Sequence, residues 1–82
     1  MYVKQLREDL AKYVKKHGLN KKLVKQIKLF CTNHRHPSLH TETLEPKKLK
    51  IYSFRIDLKY RAIFIFIDLD EIEIIDINNH YA

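Results

Sequence analysis

Apolar side chains recur at helical spacing over the first third of the chain and at alternating spacing over the last third. From Tyr2 to His17 the apolar positions are Val3, Leu6, Leu10, Tyr13 and Val14, a stripe that predicts an amphipathic helix. Gly18, the only glycine, falls where a helix-terminating residue needs positive φ. Asn20 then reads as an N-cap, with Leu19 before it able to staple onto Val24. A second stripe follows at Leu23, Val24, Ile27, Phe30 and Cys31. Two helices joined by so short a turn run antiparallel, as a helical hairpin.

Residues 32–46, TNHRHPSLHTETLEP, break both periods. Pro37 and Pro46 bias His36 and Glu45 away from helix, so the segment reads as a loop anchored by Leu39 and Leu44. Strands follow over 48–57, 60–67 and 72–77, separated by short turns. Alternation places Tyr52, Phe54, Phe64 and Phe66 on one face, the natural bed for the helices. Ser53, Arg55, Arg61 and the isoleucines 63, 65 and 67 share the other, open to solvent, the loop or a partner. The expected fold class is α+β: an N-terminal antiparallel helical hairpin packed on a small antiparallel β-meander.

At 82 residues the chain is one domain, 1–82. One cysteine excludes an intramolecular disulfide, and no apolar run approaches a membrane span. With no signal-peptide pattern, the expected location is cytoplasmic. Charge is uneven: residues 1–50 carry thirteen Lys and Arg against four Asp and Glu, and residues 51–82 carry three against six. The net +6 suits nucleic acid or an acidic protein partner. Many of the lysines also fall where a helix simply needs a solvated face, so solubility is the competing explanation.

The residue types narrow the chemistry. His34, His36 and His40 fall in one loop, but no carboxylate or thiolate completes a recognisable zinc spacing, so no metal is expected. Cys31, on the apolar stripe, reads as an inert buried thiol. A three-residue turn would set Arg61 opposite Asp57 with Arg55 on the same face. That arrangement serves either as a cross-strand ion pair or as a cationic surface for an anion. Tyr60, next to the turn, is core first and a base-stacking residue second.

At HPSLHTETL (36–44), YSFRIDLKYRAIF (52–64) and DINNHYA (76–82), the chain resembles the RelE branch of the RelE/ParE toxin superfamily. The similarity covers the second half of the chain; the helical hairpin matches by architecture. The resemblance implies a RelE-like toxin that cleaves mRNA on the ribosome, and that is neutralised by an acidic antitoxin in a hetero-oligomer. It implies no cofactor or metal: the ribose 2′-hydroxyl attacks the adjacent phosphate, helped by cations and a proton donor. Arg61 matches the phosphate-binding arginine, Arg55 a basic position upstream, His80 the acid/base histidine, and Tyr81 more loosely a terminal tyrosine. Lys47, Lys48, Lys50, His40, Lys59 and Tyr60 are the expected RNA contacts. The edge strand that precedes the helices in such toxins looks absent here, since MYVKQLRED reads straight into helix. Glu42 stands where related sequences often have histidine or another polar base. The alternative is a non-catalytic or ParE-like member of the fold, acting by binding gyrase or an antitoxin.

Overall fold

A computed structural model of the chain describes residues 1–79. In chain order the main elements are β1 (Tyr2–Val3), α1 (Glu8–Lys16), α2 (Asn20–Thr32), β2 (Glu42–Thr43), β3 (Tyr52–Arg55), β4 (Tyr60–Asp68) and β5 (Glu71–Asn79). Single 3₁₀ turns at Pro37–Leu39 and Lys47–Leu49 flank β2. The strands form one sheet in the order β1-β5-β4-β3-β2. The α+β expectation holds, and β3, β4 and β5 make the antiparallel meander.

Two edge strands extend that meander, and one of them corrects the first helix. Tyr2 and Val3 pair in parallel with β5, and helix begins only at Glu8. Without β1 the outer edge of β5 would carry unpaired backbone groups. Instead the Tyr2 N–H donates to the Asp70 carbonyl at 2.6 Å, and the Lys4 N–H to the Ile72 carbonyl at 2.9 Å. A two-residue strand has no alternation to detect, so the edge strand that looked absent is present. Glu8 and Asp9 in the first turn of α1 and Lys15 and Lys16 in its last complement the helix dipole.

Gly18 has φ +65° and ends α1 as expected. Leu19, not Asn20, is the N-cap of α2, with no side-chain bond to the first turn. Leu19 is buried whereas Val24 is half in solvent, so the expected staple does not form. The buried face of α2 is Leu23, Gln26 and Phe30, leaving both Val24 and Cys31 exposed. The buried-thiol reading of Cys31 is therefore wrong. Gln26 accounts for the rotation: its amide donates to the Arg55 carbonyl at 2.8 Å and the Ser38 carbonyl at 3.4 Å. A polar side chain that donates to two backbone carbonyls can take a core position that an apolar count gives to Val24.

The core lies between the helices and one sheet face. Phe30 packs on Phe54 and Phe64 with ring centroids 5.6 and 5.3 Å away, and Leu10, Val14, Leu23, Ile72, Ile74 and Ile77 surround them. Register shifts by one residue between Ile63 and Phe64, which leaves Ile75 as the extra residue of β5. That bulge lets both Ile74 and Ile77 point into the core despite their odd spacing. Truncating Phe64 to Ala should cost about 3–5 kcal/mol in urea melts.

Strand β3 starts at Tyr52, later than the expected residue 48, because Lys47–Leu49 closes a 3₁₀ turn that ends on left-handed Lys50. The β3–β4 connection is held by Asp57. Its Oδ1 accepts from the Lys59 and Tyr60 N–H groups, both at 2.8 Å, and its Oδ2 meets Lys22 Nζ at 3.0 Å. Partial burial pushes this carboxyl up, but the Lys22 bond and the two N–H bonds outweigh it, leaving the pKa below the usual carboxylate value. The contribution is thus full above about pH 4 and is lost as pH falls through the lower folded value. Asp57→Ala should cost about 1–3 kcal/mol at pH 7. Chemical denaturation repeated toward pH 2 should show that gap closing; a gap independent of pH would contradict this account.

Candidate functional site

The loop of residues 56–59 sets Arg55 directly across from Arg61. This corrects the expected pairing of Arg61 with Asp57, which faces Lys22 instead. Two like charges placed directly opposite on a sheet repel each other. The chain treats the two guanidinium groups differently.

Arg61 is only 5% exposed, although alternation puts it on the face away from the helices. A buried guanidinium needs oxygen acceptors. Its Nε donates to Ser53 Oγ at 3.1 Å, its Nη2 donates to the His40 carbonyl at 2.6 Å, and Glu42 Oε2 lies 4.0 Å from Nη2. Glu42 reaches this point because β2 pairs with β3 so that Glu42 faces Ser53. His40 presents its carbonyl from the left-handed region, at φ 44°, as the residue that ends the Pro37–Leu39 turn. Leu39, fully buried, anchors that turn, and His36 Nδ1 accepts from the Ser38 N–H at 3.1 Å to start it. The loop, one of the covers expected for this face, thus closes over Arg61.

Arg55 is half-buried and has no ion-pair partner among the described residues. It lines a depression of about 350 Å³ with Lys22, Lys25, Gln26, Ser38 and Asp57, whose carboxylate is paired with Lys22. Around the arginine pair the described cations therefore outnumber the carboxylates.

The other expected RNA contacts separate. Lys59 lies on the exposed hairpin turn. Tyr60 turns toward α1, its hydroxyl 3.2 Å from His17 Nδ1 and its ring edge-on to Tyr13. Lys47, Lys48 and Lys50 sit before β3, at the opposite end of that strand from Arg55. His40 stays with Arg61. His80 and Tyr81 lie outside the described residues. Among the described residues, no three His, Cys, Asp or Glu side chains come together as a metal-binding group.

Two features escaped the sequence reading. One is the Glu42 carboxylate beside Arg61. The other is a cleft of about 630 Å³ between the end of α2, the histidine-bearing loop and the β2–β4 edge. Phe30, Tyr52, Phe64 and Phe66 form its floor, and His34, Arg35, His36 and His40 its rim. Phe66 was expected in the bed for the helices, but they do not extend over it, and it is 42% exposed. The odd combination of an aromatic strand and an imidazole-rich loop was visible in sequence; their adjacency was not.

No family model matches the chain, and none of the curated proteins searched matches its sequence. Among solved structures, a YoeB/ParE toxin from Agrobacterium tumefaciens superposes with a TM-score of 0.69 at 16% identity, over 98% of this chain and 96% of that one. The chain therefore shares the fold of this toxin, as its resemblance to the RelE/ParE superfamily implies. No helix among the described residues is long and apolar enough to cross a membrane.

The two arginines should separate in a stability measurement. Arg61→Ala strips the His40 carbonyl and Ser53 of their donor and should cost about 2–4 kcal/mol in urea unfolding. Arg55→Ala should change stability by less than about 1 kcal/mol, or raise it slightly by removing the repulsion. Equal losses for the two variants would contradict the environments described.

Proposed function

We propose that residues 1–82 form one RelE-like toxin domain of a type II toxin–antitoxin system, acting as a ribosome-dependent mRNA endoribonuclease. The observation that carries this reading is the directly opposed Arg55–Arg61 pair on the fold of a YoeB/ParE toxin. An anion between two facing cations offsets their repulsion, and a scissile phosphate is such an anion.

In this reaction the 2′-oxygen forms a bond to phosphorus while the bond to the 5′-oxygen breaks. The products are a cyclic phosphate and a free 5′-hydroxyl. The Glu42 carboxylate, beside Arg61, takes the 2′-hydroxyl proton. Arg55, with its side chain unpaired among the described residues, binds the charge that develops on the phosphoryl oxygens. Arg61, fixed by Ser53 and His40, supplies positive charge that needs no reorganisation as the reaction proceeds. The assignment of His80 as proton donor to the leaving oxygen, and of Tyr81 beside it, rests on the sequence resemblance alone. The enzyme would act in the cytoplasm on mRNA in the ribosomal decoding site.

Its acidic antitoxin would bind the outer face of α2. Exposed Val24 and half-buried Leu29 line a shallow apolar groove of about 690 Å³ there, flanked by Lys21, Lys25 and Lys28. The lysines match an acidic partner and the apolar strip matches one face of its helix.

One observation favours a second reading, a non-catalytic or ParE-like member of the fold that acts by binding gyrase or an antitoxin. The Arg61 guanidinium is already engaged by internal acceptors. Primer extension on translating ribosomes separates the two. Induced expression should arrest translation and leave cuts in ribosome-bound mRNA, and Arg55→Ala should lower cleavage about 10²-fold while the protein stays folded. Undiminished cutting by Arg55→Ala would remove the arginine pair from the mechanism. Growth arrest without any cut would favour the binding-protein reading.

A further inference from the structure

The geometry points to a second RNA contact: the aromatic cleft beside Arg61 is a stacking site for one unpaired base of single-stranded RNA. This inference rests on the nucleolytic reading for its choice of ligand, and on the cleft itself for its location.

The floor is a continuous run of rings. Phe30 and Phe64 are edge-on at 5.3 Å, Phe64 stacks on Tyr52 at 5.6 Å, and Phe66 stands edge-on to Tyr52 at 5.4 Å. The inner two rings are fully buried, so the faces left for a ligand are those of Tyr52 and Phe66. Such rings, fixed at their inner edge by the core, accept a planar base without losing rotamer freedom, and they do so for any base. A volume of about 630 Å³ leaves room for a nucleotide rather than a folded element.

The rim selects for nucleic acid over a merely apolar ligand. Arg35 offers positive charge to phosphates, and His34 and His40 offer ring nitrogens to base edges. Among the described residues Glu42 is the only carboxylate in the lining, and it stands 4.0 Å from Arg61. An acidic peptide would also find the cations, but it has no planar group for the exposed rings.

Position ties the cleft to the arginine pair. His40 lines the cleft and its carbonyl holds Arg61, and Glu42 likewise borders both. A strand whose phosphate reaches the arginines therefore has a neighbouring base at the mouth of the cleft.

Fluorescence anisotropy with a labelled single-stranded RNA hexamer tests this on the full chain. Phe66→Leu keeps an apolar side chain and Phe66→Trp keeps a stacking face; because Phe66 lies at the edge of the core and is 42% exposed, both variants should fold. We expect the Leu variant to bind about tenfold more weakly and the Trp variant to bind at least as well as the original protein. Replacing single bases of the hexamer by abasic sites should weaken binding at one position and lose its effect in the Leu variant. Equal affinities for the Leu and Trp variants, indifference to every abasic site, or a preference for an acidic peptide that depends on Phe66 would each overturn the proposal. The two readings fail separately. Ribosomal cleavage lost in Arg55→Ala, with hexamer binding indifferent to Phe66, sinks only the cleft. Hexamer binding that depends on Phe66, with no cleavage by the original protein, sinks only the nuclease.

Discussion

Burial of the Arg61 guanidinium is the constraint that the loop and the β2–β4 side of the sheet depend on. A charged group that is 5% exposed must be supplied with oxygens, or its desolvation goes uncompensated. Those oxygens come from two stretches of the chain: Ser53 on β3, and the short segment that carries both the His40 carbonyl at the end of a 3₁₀ turn and Glu42 on β2. Each requirement fixes a piece of backbone. The His40 carbonyl is presented from a left-handed residue, the turn is held in place by buried Leu39, and the edge strand is in register so that Glu42 faces Ser53. The path of residues 33–43 is then largely determined, and with it one wall of the aromatic cleft.

Much of the fold was legible because it follows from strong periodicity. The helical stripes, the Gly18 turn and the meander of β3, β4 and β5 all follow from where apolar residues recur. What sequence missed were features that cover few residues or invert a usual preference. Two-residue strands carry no period, so β1 and β2 were invisible. Gln26 takes a core position because two carbonyls wait there for its amide, and this turns Val24 and Cys31 outward. The bulge at Ile75 reconciles Ile74 and Ile77 with one face, which strict alternation does not allow.

The candidate site was legible in composition more than in geometry. Arg55 and Arg61 stood out as cations inside a strand-like run, and the structure brings them face to face. Their register, however, depends on a four-residue connection closed by Asp57 through two backbone N–H groups. One residue more or fewer would place them on different partners. The lysines expected to follow the RNA separate instead to the two ends of β3, because Lys47–Leu49 turns before the strand begins. Histidines that looked like a loop curiosity became a rim only when α2 and β4 brought Phe30 and Phe66 beneath them.

The asymmetry of the arginine pair bears on how such a surface could work. If both guanidinium groups were free, each would be solvated and mobile, and binding an anion would have to order both. If both were engaged internally, neither would have donors to offer. Here Arg61 is immobilised by neutral acceptors and by one carboxylate, at 4.0 Å, that is itself mostly exposed, so much of its positive charge remains uncompensated. Arg55, directly opposite, feels that field without an ion-paired carboxylate of its own among the described residues. The result is a fixed charge beside an adaptable one. An anion arriving between them gains from both, while only Arg55 loses conformational freedom. This division is consistent with a chain that tolerates two like charges at one cross-strand position, and on the proposed reading it would leave Arg55, rather than the more deeply held Arg61, to meet the ligand.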